Sequence, residues 1–224
     1  MTRAFDAVLF DCDGVLVDSE PITNGVLRAM LAELGWELSV AECMRIFVGK
    51  TLHEETELLE RHTGTVVSEG WLKEFRLRRN QALERDLVAI PNIHAAVHAI
   101  HAAHEARVAC ASGADRYKVE LQLNKVGLIQ YFEGRIFSGH EMARSKPAPD
   151  VYLAASLALG ADPARCAVIE DTVTGVTAGV AAGSVVFGYA PLGDDAALRQ
   201  AGARHTFGDM AELPALLVSA RPQI

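Results

Sequence analysis

The segment Val8-Leu9-Phe10-Asp11-Cys12-Asp13-Gly14-Val15-Leu16-Val17-Asp18-Ser19 joins an apolar strand directly to two carboxylates spaced two residues apart beside a glycine. In an open α/β sheet, ligands bind just beyond the carboxyl ends of the strands, so we expect Asp11 and Asp13 to lie where chemistry takes place. Two acids at one strand end repel each other and tend to recruit a cation. The segment therefore predicts a site for a metal and a nucleophile.

The rest of the chain divides into a helical block and a region in which strands and helices alternate. Helical periodicity continues for about seventy residues after the first strand. From Leu87 onward the sequence predicts short apolar strands over residues 106–111, 134–138, 166–170, 184–188 and 204–207. Strands that alternate with helices indicate βαβ units. We therefore expect an α/β fold, a three-layer Rossmann-like core with a parallel sheet.

The helical block is expected to form an inserted cap. Pro21 begins its first helix and Gly35 ends it. Ser39 and Glu42 form a capping box for a second helix that ends near Gly49, and two more helices are predicted over residues 52–62 and 68–86. The block follows the first strand, so residues 1–17 and 88–224 form the catalytic core and residues 18–87 a cap over the carboxyl end of the sheet. Hinges near residues 16–20 and 86–90 would let the cap exclude water.

Composition excludes several classes of protein. With 224 residues, 50% hydrophobic and 22% charged, the chain has ample material for a packed core. A net charge of −8 repels polyanions, and no basic run suggests nucleic acid. No apolar run reaches the roughly 20 residues that span a membrane, and no signal peptide is apparent. The four cysteines are scattered without CxxC spacing, which favours reduced thiols. We expect a cytoplasmic monomer.

Further polar residues follow the later predicted strands. Ser112 and Gly113 follow the strand at 106–111, Lys146 lies in the loop 145–150, and Glu170 and Asp171 end the strand at 166–170. Singly, each has an ordinary explanation as a helix cap or a solvated side chain. Together, at the ends of neighbouring strands, they are expected to converge on one crevice.

The four motifs, in this order, resemble the haloacid dehalogenase-like hydrolase superfamily over essentially the whole chain. The helical insertion resembles the type 1 cap of the β-phosphoglucomutase-like subgroup. Within that subgroup, residues 135–139 and 47–50 are most similar to 6-phosphogluconate phosphatase-like sugar phosphatases. The resemblance implies a phosphatase that acts on a small phosphorylated metabolite, a sugar or sugar-acid phosphate.

The residues are suited to phosphoryl transfer through an aspartyl-phosphate. Asp11 would attack phosphorus, while Asp13 would protonate the leaving oxygen and then deprotonate the attacking water. Hard oxygen ligands favour Mg²⁺, and the expected ligands are Asp11, Asp13 and Asp171, with Glu170 either a direct ligand or behind one. The phosphoryl oxygens would be held by Ser112, the backbone N–H groups of Gly113 and Ala114, and Lys146.

Two alternatives to a phosphatase remain. The first is a β-phosphoglucomutase-like phosphomutase, although the mutases carry a histidine near the start of the cap where this chain has Thr23. The second is a relative that binds metabolites without catalysis. True dehalogenases lack the second acid of the first motif, so Asp13 argues against them. Within the cap, Lys50 occupies the loop expected to contact the substrate.

Two other patterns have simpler explanations. His94, His98, His101 and His104 have helical spacing that could bind a metal, but they border an apolar stripe and no other ligand joins them, so a solvated face is favoured. Gly175, Gly179 and Gly183 are spaced like a membrane dimer motif, but their helix is short, so close packing against the sheet is favoured.

Overall fold

The computed structural model of the chain describes residues 4–47, 52 and 55–220. Two compact units make up the chain. The sheet unit comprises Met1–Asp18 and Val88–Ile224, and the helical unit comprises Ser19–Leu87.

Over its described residues, the helical unit contains four helices: α1 Glu20–Glu33, α2 Val40–Phe47, α3 Thr56–Thr63 and α4 Glu69–Asp86. The predicted capping box of α2 is confirmed, since the backbone N–H of Ser39 donates to Glu42 Oε2 at 2.9 Å and that of Glu42 donates to Ser39 Oγ at 3.2 Å. The helix predicted from residue 52 begins at Thr56, and residues 53 and 54 lie outside the described residues. Apolar side chains from all four helices form the core of the helical unit, among them Leu31, Cys43, Leu59 and Phe75.

Within residues 4–18 and 88–220, which the structure describes, the sheet unit has six strands in one sheet: β1 Ala7–Phe10, β2 Val108–Ser112, β3 Ile136–Ser138, β4 Cys166–Glu170, β5 Val185–Tyr189 and β6 His205–Phe207. Every pair is parallel, in the order β3-β2-β1-β4-β5-β6. Its helices are α5 Ile93–Ala103, α6 Arg116–Lys125, α7 Ile129–Phe132, α8 Asp150–Ala158, α9 Val173–Ala181, α10 Ala196–Gln200 and α11 Leu213–Ser219. The predicted α/β fold with a parallel sheet is confirmed. Because β1 lies between β2 and β4, the carboxyl ends of these three strands adjoin.

Several strands begin later in the structure than the sequence predicts, because a turn precedes the extended segment. Glu105 and Ala106 have φ angles of 50° and 63°, so β2 begins only at Val108. Gly134, with φ 71°, turns the chain before β3. Ser112, expected just after a strand, is the last residue of β2.

The two connections between the units run side by side within the sheet unit. The backbone N–H of Asp18 donates to the carbonyl of Val88 at 3.1 Å, and that of Ile90 donates to the carbonyl of Leu16 at 3.2 Å. Val17 and Ala89 form an antiparallel bridge. Backbone hydrogen bonds therefore link the two segments that connect the units.

The glycine pattern packs as expected at Gly179. A Cβ there would lie 2.8 Å from Val186 Cγ2 and 3.1 Å from Val168 Cγ1, so only glycine lets α9 approach β4 and β5 this closely. The four cysteines are buried and free. Within the described part of the chain, no helix is both long and apolar enough to cross a membrane.

The histidine run is only partly solvated. His94 contacts the carbonyl of Val126 at 2.7 Å, and His98 Nδ1 contacts the hydroxyl of Tyr131 at 3.1 Å. The solvated-face prediction is wrong for His104, which is buried because it ends α5, where its Nδ1 contacts the carbonyl of Ile100 at 2.9 Å. Each of these rings has its own local partner.

Candidate active site

Asp11 lies directly beyond β1, at the centre of the carboxyl edge of the sheet. Its backbone N–H donates to the carbonyl of Ile169 at 3.0 Å, which continues the pairing of β1 with β4 by one residue. Its side chain is 10% exposed, and Oδ1 accepts a hydrogen bond from Lys146 Nζ at 2.6 Å. The structure thus brings together the first and third motifs.

Lys146 also reaches two residues on other elements. Its Nζ donates to Glu170 Oε1 at 2.7 Å and to the hydroxyl of Tyr152 at 2.9 Å, and that hydroxyl donates to Glu170 Oε1 at 2.7 Å. Tyr152 is fully buried in α8. The sequence analysis missed Tyr152, because a tyrosine in an apolar helix is typical of a core residue.

Glu170 joins this network to the loop that follows β4. Its second oxygen, Oε2, accepts from the backbone N–H groups of Asp171 at 3.1 Å and Thr172 at 3.3 Å, and from Thr172 Oγ1 at 3.1 Å. A Cβ at Gly175 would lie 1.7 Å from Glu170 Oε1, so the carboxylate occupies the space that this glycine leaves. Both Glu170 oxygens are thus engaged by donors of the protein.

Burial and neighbouring charges set the protonation of this group. Burial, with the Glu170 and Asp13 carboxylates, raises the pKa of Asp11 to about 7, although Lys146 acts in the opposite direction. Burial disfavours the Lys146 ammonium, but Asp11 and Glu170 outweigh that effect and raise the pKa of Lys146 well above its usual range. Lys146 is therefore a cation within a group of carboxylates.

Three carboxylates could hold a metal ion. One oxygen each of Asp11, Glu170 and Asp171 can be chosen so that all three lie within 4.8 Å of one another. Gly14, with φ 77°, leaves space for Asp171, because a Cβ there would lie 2.0 Å from Asp171 Oδ2. Hard carboxylate oxygens in such a group suit Mg²⁺, so the residues present fit this ion.

The second motif forms a loop beside Asp11. The Ser112 hydroxyl accepts a hydrogen bond from the backbone N–H of Ala114 at 3.1 Å. Ser138 Oγ donates to the carbonyl of Ala114 at 2.6 Å. A Cβ on Gly139 would lie 3.3 Å from Gly113 Cα, so the ends of β2 and β3 are in close contact. The loop of Ser112 and Gly113 is thereby held from the β3 side.

The carboxylate of Asp13 contacts two side chains of α6. Lys118 Nζ donates to both of its carboxylate oxygens at 2.8 Å, and Gln122 Nε2 donates to Oδ1 at 2.8 Å. The sequence analysis missed both donors. A signal was present, because Lys118 and Gln122 are spaced four apart in the buried stripe of Val119 and Leu123, where apolar residues are expected.

Of the predicted site residues, only Lys50 lies outside the described residues. The others lie in the sheet unit, at the carboxyl ends of β1, β2 and β4 and in the loop before α8.

A sequence profile described as haloacid dehalogenase-like hydrolase matches residues 5–183. A relative named 6-phosphogluconate phosphatase, from Escherichia coli (strain K12), is 30% identical over 183 residues, which cover 81% of each chain.

Solved structures share the fold over nearly the whole chain. A haloacid dehalogenase family hydrolase from Deinococcus radiodurans R1, with bound phosphate and sodium, is 35% identical with a TM-score of 0.80, covering 97% of this chain and 99% of the other. A candidate beta-phosphoglucomutase from Thermotoga maritima is 26% identical with a TM-score of 0.77, covering 94% of this chain and 97% of the other.

Proposed function

Because the chain belongs to the haloacid dehalogenase-like hydrolase family and is a phosphatase, we propose that it hydrolyses a sugar or sugar-acid phosphate with Mg²⁺ through an aspartyl-phosphate. The observation that carries the proposal is the buried carboxylate of Asp11, 2.6 Å from Lys146 Nζ and grouped with Glu170 and Asp171 at the carboxyl edge of the sheet. The similarity to a 6-phosphogluconate phosphatase supports the substrate class.

In the first step, Asp11 attacks phosphorus and the bond to the leaving oxygen breaks. The aspartyl-phosphate divides one difficult displacement into two easier ones. Asp13 gives its proton to the leaving oxygen and then takes a proton from the water that attacks the aspartyl-phosphate. Each turnover therefore returns both aspartates to their starting states.

The remaining residues bind and orient the phosphoryl group. Ser112 and the backbone N–H of Gly113 hold its oxygens at the end of β2, where the N–H of Ala114 donates to Ser112 Oγ at 3.1 Å and orients that hydroxyl. The ammonium of Lys146 balances the charge that spreads over the phosphoryl oxygens. Lys146 enters the site already oriented, because Glu170 and Tyr152 fix its Nζ at 2.7 and 2.9 Å.

Asp11 and Asp171 would hold Mg²⁺ through carboxylate oxygens and Asp13 through its backbone carbonyl. Both oxygens of Glu170 accept hydrogen bonds, which favours a role in which Glu170 does not contact the metal but orients Lys146 and the loop of Asp171. Mg²⁺, when bound, supplies positive charge that stabilises the transferring phosphoryl group.

The helical unit would act as a cap that selects the substrate, with Lys50 as a contact to its anionic part. This role, the cytoplasmic location and the monomeric state remain predictions. The inserted position of the helical unit, between β1 and β2, supports the role of a cap.

A product assay on a panel of phosphorylated metabolites tests the function. We expect phosphate release that requires Mg²⁺, with 6-phosphogluconate among the preferred substrates. The likeness to a candidate beta-phosphoglucomutase makes one comparison essential: β-glucose 1-phosphate should yield free phosphate. Dominant conversion to glucose 6-phosphate would identify a mutase, and binding without turnover would identify a non-catalytic relative.

A further inference from the structure

Asp13 is held by two donors on one face of α6. Lys118 Nζ donates to Oδ1 and Oδ2 at 2.8 Å each, and Gln122 Nε2 donates to Oδ1 at 2.8 Å. These side chains are largely withdrawn from solvent, with exposures of 9% for Lys118 and 19% for Asp13. Charge-assisted hydrogen bonds with little solvent screening are among the stronger polar contacts in proteins.

Other contacts hold the two donors in place. The Cys12 thiol donates to Gln122 Oε1 at 3.4 Å, which leaves Gln122 Nε2 to face Asp13. The reversed amide would place its oxygen against a carboxylate. At the start of α6, the Asp115 side chain accepts from the backbone N–H of Lys118 at 2.9 Å. Asp115 thus caps the start of α6 at a fixed point three residues after Ser112, and the helix begins at Arg116.

We propose that Lys118 and Gln122 are positioning residues that orient the carboxylate of Asp13 for proton transfer to the leaving oxygen. This inference rests on the acid and base role proposed for Asp13 above. Oδ1 accepts from an ammonium and an amide, neither of which can accept a proton in return. Together the two donors fix the orientation of the carboxylate, and the proton that Asp13 carries passes from it to the leaving oxygen as the P–O bond breaks.

The inference makes a specific claim about leaving groups. A 4-nitrophenolate departs readily without a proton, whereas phenolate is more basic and benefits more from an acid. General acid catalysis contributes about 100-fold to 10,000-fold where it operates. Loss of either donor should therefore reduce the turnover of phenyl phosphate more than that of 4-nitrophenyl phosphate. A merely structural defect would reduce both equally.

The experiment measures kcat/KM with Mg²⁺ for both esters, because this constant reports steps up to departure of the leaving group. We expect Lys118→Met and Gln122→Met to lose about tenfold more on phenyl phosphate than on 4-nitrophenyl phosphate. Lys118→Arg, which keeps charged donors, should recover part of that loss. Lys125→Met removes a lysine from the exposed end of the same helix and should keep the wild-type ratio.

Equal losses on both esters would overturn the inference, and so would a higher KM with unchanged kcat, which would make Lys118 a phosphate-binding residue. The variant Asp13→Asn distinguishes failure of the positioning role from failure of the acid role proposed for Asp13. If Asp13→Asn loses more on phenyl phosphate and the two α6 variants do not, only the positioning role fails. If Asp13→Asn shows no such selectivity, the acid role fails and the inference fails with it. Near-UV circular dichroism checks folding, and Gln122→Met decides alone if Lys118→Met does not fold.

Discussion

The hydroxyl of Tyr152 connects two charged groups of the site. It donates to Glu170 in a buried bond and accepts from Lys146 in a partly buried one. The pKa of this hydroxyl is well above its usual range, because of burial and then the charge of Glu170, so it remains a donor at neutral pH. It therefore gives the carboxylate and the ammonium, which also contact each other directly at 2.7 Å, a common partner.

Tyr152→Phe tests that role. Removing a hydroxyl bonded to buried charged groups should lower the free energy of unfolding by about 1.5–3 kcal/mol and reduce phosphatase activity, because Lys146 loses one of its anchors. Urea denaturation and phosphate release measure the two effects. Tyr131→Phe is the control, since its hydroxyl contacts the exposed His98. Equal effects of the two substitutions would contradict the role of Tyr152.

Gly14 leaves the space that the Asp171 carboxylate fills. Gly14→Ala would set a Cβ 2.0 Å from Asp171 Oδ2 at a residue with φ 77°. We expect a higher Mg²⁺ concentration for half-maximal activity, because Asp171 must move. Gly127→Ala provides the control, because its φ of 70° gives similar backbone strain of about 1–2 kcal/mol while no atom lies within 4 Å of the added Cβ. A Mg²⁺ requirement that is unchanged in Gly14→Ala would contradict the metal site.

At the scale of the elements, two mid-helix glycines should respond oppositely to alanine. In α9, Gly179→Ala places a methyl 2.8 Å from Val186 Cγ2, and such overpacking costs about 1–3 kcal/mol. In α1, Gly25→Ala meets nothing within 4 Å and should stabilise by about 0.5–1 kcal/mol, because alanine loses less backbone freedom on folding. Urea denaturation of both variants measures the sign of each change in the free energy of unfolding. Destabilisation of similar size in both variants would contradict the difference in packing between Gly179 and Gly25.

The elements also explain which parts of the site the sequence could predict. Residues at strand ends were predictable, because parallel strands bring their carboxyl ends to one edge. Asp11 and Glu170 do lie together there, and Lys146 from the loop before α8 contacts both. Residues on helix faces were not, because a single sequence does not say which neighbour a buried polar residue contacts. Lys118 and Gln122 are such residues, since α6 turns them toward Asp13.

At the scale of the whole molecule, lysines at the proposed site offset part of the negative charge around it. The chain carries a net charge of −8, yet its proposed substrate is an anion. Lys118 and Lys146 lie among the carboxylates of the proposed site and lessen their repulsion of a phosphate. The α/β fold was predictable because apolar runs alternate with helices. Substrate choice was not, because in our proposal it depends on the inserted unit, and a single sequence does not say which residues of that unit would contact a ligand.

The central claim is that Asp11 is the nucleophile of a Mg²⁺-dependent phosphatase. The most direct measurement is phosphate release from 4-nitrophenyl phosphate by the wild-type chain and by Asp11→Asn, each with Mg²⁺ and with the metal removed by a chelator. Loss of the nucleophile should abolish nearly all activity, and removal of Mg²⁺ should do the same to the wild type. Full activity of a folded Asp11→Asn variant, or turnover by the wild type that needs no metal, would contradict this account.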